Sequence, residues 1–179
     1  INAGNSGTLA RLILGLLVKS KFKVRLIGDK SLSKRDFSRV IKPLRLFGVN
    51  IKSKNNKLPI EILGSDFLRP VTYYENIGSA QVKSCILLSA MNTPGTTIIK
   101  SKKSRNHTEL MLKFLNYPIK IQERKSFDKI SIQGLRQFKS FKYNVPGDIS
   151  SASFFIVLTL LSKKSQLIID CLLYTSPSP

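Results

Sequence analysis

The strongest restriction on the fold of this chain is an internal repeat. Three apolar stretches open on residues too small to pack: "NAGNSGTLARLILGLL" (Asn2 to Leu17), "GSAQVKSCILLSA" (Gly78 to Ala90) and "GDISSASFFIVLTLL" (Gly147 to Leu161). Successive copies lie about seventy residues apart, a self-similarity that marks duplicated units. Helical apolar spacing over Ser6 to Val18 is followed by a strand at Lys23 to Ile27, a basic loop "GDKSLSKRD" (Gly28 to Asp36), a helix over Phe37 to Phe47 with Gly48 as its C-cap, and a strand in "VNIKS". The second copy repeats this order. After its helix come "TTIIK" (Thr96 to Lys100), the basic loop "KSKKSRNH" (Lys100 to His107), and a helix and strand in "TELMLKFLNYPIKI". "KLPIEILG" (Lys57 to Gly64) and "DKISIQG" (Asp128 to Gly134) alternate as strands that end in Gly turns. The period is too long for a solenoid, so the expected class is α/β, with repeated subdomains that pack helices on sheets around a shared core. "NVPGD" (Asn144 to Asp148) carries the turn chemistry of a domain boundary.

Bulk properties agree with a packed, soluble domain. The chain has 179 residues, 42% of them hydrophobic, which is enough for a core and excludes wholesale disorder. No apolar run approaches bilayer length, and the first residues lack the basic-then-apolar order of a signal peptide. Cys85 and Cys171 stand far apart among apolar neighbours without metal or redox spacing, and read as buried thiols in a reducing compartment. His107 is the only histidine and has no partner set for a metal, so it reads as a surface or capping residue. Thirty Lys and Arg against ten Asp and Glu give a formal charge of +20, which attracts anionic partners. Lys greatly outnumbers Arg, a bias that an AT-rich coding sequence also produces, so charge alone does not assign a nucleic-acid ligand.

Small residues at a helix start have two uses. Asn, Ser and Thr cap the free N–H groups of the first turn, and a bare backbone also admits an anion to those groups and to the positive end of the dipole. Three such starts in one repeated scaffold strengthen the second use. Arg35 and Arg105 each sit just before a helix, where a cation opposes the dipole, and their planar forks suit carboxylate or phosphate. The lysines of the same loops read as solvated. Ser79, Gln81 and Lys83 are polar groups at the start of an otherwise apolar helix, with Ser79 readable as a cap and Gln81 as a donor to a ligand. Asp148 is as readable as a turn or cap as it is as an acid.

The ordered set "NAGNSGT…R", "GDKSLSKR", "GSAQVKS…LLSA", "SRNHTE" and "VPGDISSASFF" resembles the 3-phosphoshikimate 1-carboxyvinyltransferase (EPSP synthase) family from Asn2 to about residue 170. The resemblance implies a two-domain inside-out α/β barrel. Residues 1–144 would be two α/β subdomains of the substrate-binding domain, 145–170 the start of the second domain, and 171–179 a non-native tail. It implies transfer of the enolpyruvyl group of phosphoenolpyruvate to the 5-hydroxyl of shikimate 3-phosphate, with release of phosphate, by addition and elimination. Carried over by motif, Asn5, Gly7, Arg35 and Gln81 would bind phosphoenolpyruvate, with Thr8 shaping the loop. Ser79, Ala80, Gln81, Ser104 and Arg105 would bind shikimate 3-phosphate. The family's Lys-Ser segment and its Asp and Lys-Glu-Arg residues have no counterpart here, so no catalytic residue is assigned and this piece is expected to be inactive alone. The resemblance further implies no cofactor, no metal, no nucleic-acid or membrane partner, a monomer when whole, and a cytoplasmic location. Three departures stand out: Asp36 replaces the usual Pro after Arg35, "LNY" (Leu115 to Tyr117) stands where a Gly is common, and "CLLYTSPSP" does not continue the pattern. The alternatives are UDP-N-acetylglucosamine enolpyruvyltransferase, which should not combine "SAQVKS" with "SRNHTE", and a basic nucleic-acid-binding module, which should interleave aromatic residues with its cations.

Overall fold

A computed structural model describes residues 1–137, 139–145 and 147–170. The tail expected to be non-native, and Cys171 with it, lies outside the described residues. The chain divides into two compact units, Ile1–Phe138 and Lys139–Pro179. In the first, chain order is α1 (Gly7–Leu16), β1 (Val24–Leu26), α2 (Ser38–Leu46), β2 (Asn50–Ser53), β3 (Ile60–Leu63), β4 (Thr72–Glu75), α3 (Ala80–Met91), β5 (Thr96–Lys102), α4 (His107–Phe114), β6 (Ile119–Glu123) and β7 (Phe127–Gln133).

The repeat is visible in the topology of two sheets. One runs β1-β3-β2, the other β4-β5-β7-β6. In each, the strand after the first helix of a copy pairs antiparallel with the copy's last strand, which pairs antiparallel with the one between. β4 lies parallel to β5, and its counterpart in the first copy is a single parallel bridge between Asn2 and Ile27. That bridge, with Ala3 N–H donating to Ile27 O at 2.9 Å, pins the "NAGNSGT" segment to the end of β1. β4 is an element that sequence patterning did not anticipate.

Burial follows the alternation in the strands: Ile60 and Ile62 of β3 and Ile130 and Ile132 of β7 are inward, and Glu61 and Ser131 between them are not fully buried. Helices α1 and α3 pack together at the centre, and Gly15 sets their approach, since a Cβ there would collide with the main chain of Cys85. Nearly every position of α3 from Val82 to Ala90 is buried, so this helix is the axis of the unit. Gly48, at φ +96°, ends α2 in the left-handed conformation expected of a C-cap. At "LNY", Asn116 takes φ +53° and its N–H meets Lys113 O at 2.9 Å, so an Asn serves where a Gly is common.

The chain leaves the first unit past two anchors, Leu135 N–H to Met91 O at 2.9 Å and Arg136 N–H to the Tyr117 hydroxyl at 3.4 Å. The second unit contains α5 (Ile149–Leu161), the third of the small-residue helix starts. Asp148 precedes the first turn of α5, where its carbonyl accepts the Ala152 N–H at 3.0 Å and its carboxylate accepts the Ser151 hydroxyl at 3.0 Å. No helix among the described residues is long and apolar enough to cross a membrane.

Candidate functional site

The opening of α1 both caps and exposes. Ser6 accepts the N–H of Leu9 on its hydroxyl at 3.1 Å, which is ordinary N-capping. Gly7, one residue on, is buried beneath two guanidinium groups: a Cβ there would lie 2.8 Å from Arg11 Nη1 and 3.0 Å from Arg35 Nη1. Arg35 Nη2 donates to Asn5 Oδ1 at 3.3 Å, joining two residues thirty positions apart. Arg11 Nη1 donates to Gly7 O at 3.2 Å and to Gln81 Oε1 at 3.0 Å, and its guanidinium sits over the Phe37 ring at 5.1 Å. Gln81 completes the link by donating from Nε2 to Thr8 Oγ1 at 2.7 Å. Asn5, Gly7, Thr8, Arg35 and Gln81 are thus one cluster, assembled by the α1–α3 crossing.

Its electrostatics favour an anion. Partial burial lowers the pKa of Arg11, and the nearby charges of Arg35 and then Arg39 lower it further, with Asp36 opposing. Neither Arg11 nor Arg35 has a carboxylate within ion-pair distance among the described residues. The Asp36 carboxylate is turned to α2, where it accepts the Ser38 N–H at 2.6 Å and the Ser38 hydroxyl at 2.7 Å; these bonds hold its pKa below the ordinary value. Guanidinium groups crowded at a helix N-terminus, with the neighbouring acid engaged elsewhere, leave a net positive cluster.

The second set of candidates surrounds the start of α3. Ser79 is its N-cap, accepting the Val82 N–H on its hydroxyl at 3.4 Å, and Ala80 is the first helical residue. The β5–α4 loop that carries Ser104 and Arg105 abuts this turn, because a Cβ on Gly78 would lie 3.2 Å from Lys103 O. Ser104 Oγ is buried without a hydrogen-bond partner, and Arg105 is exposed with no ion-pair partner among the described residues. His107 is the exposed first residue of α4, as a surface residue should be. Lys83 departs from its expected place among polar groups at the helix start. It is 1% exposed and ion-paired with Glu109 of α4 at 2.6 Å, beside a Ser84–Thr108 hydroxyl bond of 2.7 Å. One helical turn beyond Ser79, a side chain on this face points into the α3–α4 contact, where only a paired charge is tolerated.

Two residues were given no role by the sequence, although the first ends the motif "NAGNSGT…R". Arg11 lies three and four positions after Thr8 and Gly7, hence on their face of α1, and that spacing was a usable signal. Glu75, at the end of β4, is 4% exposed and accepts main-chain N–H groups of the turn before α3; nothing in the local pattern marks it. No group of three or more His, Cys, Asp or Glu that could hold a metal occurs among the described residues.

The sequence profile of the EPSP synthase (3-phosphoshikimate 1-carboxyvinyltransferase) family matches residues 1–176. This chain belongs to the EPSP synthase family. Relatives named 3-phosphoshikimate 1-carboxyvinyltransferase include that of Ruthia magnifica subsp. Calyptogena magnifica, 44% identical over 168 residues, covering 93% of this chain and 38% of the relative. That of Streptococcus pyogenes serotype M4 is 41% identical over 172 residues, covering 94% of this chain and 39% of its own length. The solved EPSP synthase from Acinetobacter baumannii superposes with a TM-score of 0.76 at 36% identity, over 96% of this chain and 39% of that one. The chain therefore spans about two fifths of an EPSP synthase, and its α/β architecture is the one found in that family.

Proposed function

We propose that this chain forms the anion-binding half of an enolpyruvyl transferase site, with shikimate 3-phosphate and phosphoenolpyruvate bound side by side. Asn5, Gly7 and Arg35, with Arg11 behind them, would take the carboxylate and phosphate of phosphoenolpyruvate. Ser79, Ala80, Ser104 and Arg105 would take shikimate 3-phosphate, with the unpartnered hydroxyl of Ser104 as a ready donor. The observation that carries the reading is Gln81: its amide reaches from α3 to Thr8 and Arg11 of α1, so it stands between the two clusters and can touch both ligands.

In the proposed reaction the shikimate 5-hydroxyl oxygen attacks the enol carbon of phosphoenolpyruvate as its own proton leaves to a base, while the methylene carbon takes a proton from an acid. The tetrahedral intermediate then loses phosphate and a methyl proton, which restores the vinyl group. The present residues hold two multiply charged anions together by cancelling their repulsion, a large part of the barrier for such a reaction. Proton transfer needs other groups. The carboxylates flanking these segments are engaged in structure: Asp29 accepts the Leu32 N–H, Asp36 accepts the Ser38 N–H and hydroxyl, Glu75 holds the turn before α3, and Glu109 pairs with Lys83. The activity belongs to a cytoplasmic, monomeric whole, with residues 145–170 as the start of its second domain.

Titration calorimetry of the chain with shikimate 3-phosphate tests the reading. Binding should occur and should weaken about tenfold in Arg105→Ala and in Gln81→Ala, the loss of one charge-assisted or bridging hydrogen bond. Steady-state phosphate release with both substrates should be absent. Absence of binding, together with RNA binding that falls steeply with salt and ignores Gln81→Ala, would replace this reading with a nucleic-acid module.

A further inference from the structure

We propose that Glu75 is a positioning residue for the phosphate-binding segments, acting through the main chain without touching the ligand. The inference rests on the reading of Ser79 to Gln81 and Ser104 to Arg105 as contacts for shikimate 3-phosphate. Glu75 Oε1 accepts the N–H of Ile77 at 3.2 Å, and Oε2 accepts those of Gly78 at 2.7 Å and Ser79 at 3.0 Å. The Ser101 hydroxyl lies 3.4 Å from Oε2, with its single proton shared with Lys102 O at the shorter distance of 2.8 Å. Three consecutive N–H groups can converge on one carboxylate only if the chain curls around it, and here Gly78 adopts φ +82° to do so.

The β4–β5 ladder connects this turn to the other segment. Glu75 and Ser101 are register partners in the parallel β4–β5 ladder, and Ser101 precedes Ser104 by three residues. One side chain therefore fixes the turn that presents Ser79 and Gln81, and does so from the ladder position beside the strand from which the Ser104 loop springs. A carboxylate suits the place because both of its oxygens accept, whereas an amide that kept its oxygen on Gly78 and Ser79 would turn its NH2 toward the Ile77 N–H and would hold the other two with a neutral acceptor. A buried carboxylate is unfavourable unless so satisfied, and a turn that needed only to close would not require one. The residue's value lies in holding two segments at a set separation.

The test compares the chain with its Glu75→Gln and Glu75→Asp variants by shikimate 3-phosphate calorimetry and by amide hydrogen exchange. In Glu75→Gln, exchange at Gly78 and Ser79 should rise about tenfold while the β5–β7 ladder stays protected, and the Kd should rise about tenfold, the scale of one or two lost charge-assisted hydrogen bonds. Glu75→Asp, one methylene short but still ionised, should recover part of both losses. An unchanged or tighter Kd in Glu75→Gln with loosened amides would show a merely structural residue and overturn the inference. So would unchanged exchange at Gly78 and Ser79. Failure of the unsubstituted chain to bind shikimate 3-phosphate would overturn the functional reading and this inference together, and that titration distinguishes the two cases.

Discussion

At Gly7 the missing side chain leaves two guanidinium groups a shared opening, and filling it sets a clear expectation. The added methyl of Gly7→Ala would press on the Nη1 atoms of Arg11 and Arg35, both ends of flexible side chains that can give way. The fold should persist with little change in Tm, while binding of phosphoenolpyruvate should weaken in a calorimetric comparison made with shikimate 3-phosphate present. Unchanged affinity for phosphoenolpyruvate would place that ligand elsewhere. Asn5, Gly7, Thr8, Arg35 and Gln81 were legible in the sequence because small or polar residues at the start of an apolar helix stand out against their surroundings. Glu75 and Lys83 were not. Each takes its meaning from groups outside its own element, the turn before α3 for the first and Glu109 for the second, and no periodicity along one strand or helix records such a pairing.

At the scale of elements, the α3–α4 contact is closed by a charge pair that offers stability only when intact. Lys83→Met should strand the Glu109 carboxylate, whose Oε2 already lacks a partner, and should lower the urea-unfolding free energy by about 3–5 kcal/mol. Adding Glu109→Leu should restore much of the loss, because an apolar pair of similar volume has no desolvation penalty. Additive losses in the double variant would contradict this. The α1–α3 crossing is less forgiving: Gly15→Ala inserts a methyl against the main chain of Cys85, and should destabilise by about 1–3 kcal/mol or more, read from the same unfolding curves. Helices were the most legible elements, since α1 and α2 fall within their apolar-periodic stretches and α3 overruns its stretch by one residue, to Met91, so that only the ends shift. β4 was illegible because "TYYE" shows no alternation of its own and becomes a strand by pairing with β5. The repeat was legible in order, yet its exactness in pairing, down to the bridge of Asn2 with Ile27, is a property of the sheets alone.

Across the whole molecule, a formal charge of +20 adds a long-range attraction to every contact described above. Affinity for shikimate 3-phosphate should fall as salt rises from 50 to 300 mM, by roughly threefold to tenfold, because screening shortens the reach of that field without breaking the hydrogen bonds at its centre. Salt-independent binding would mean that the remote lysines contribute nothing. The same crossing that joins the two anion clusters also seals a thiol. Burial pushes the Cys85 pKa up to about 12, while an unfolded thiol ionises near ~8.5. Between those values the unfolded chain releases a proton that the folded one keeps, so stability should decline as pH rises from 8 to 10, and the decline should be shallower in Cys85→Ala. In a Cys171→Ser background, the thiol becomes a clock for the fold's rarest motion: iodoacetamide can mark Cys85 only while α1 stands away from α3, and the alkylation rate then counts how often the site comes apart.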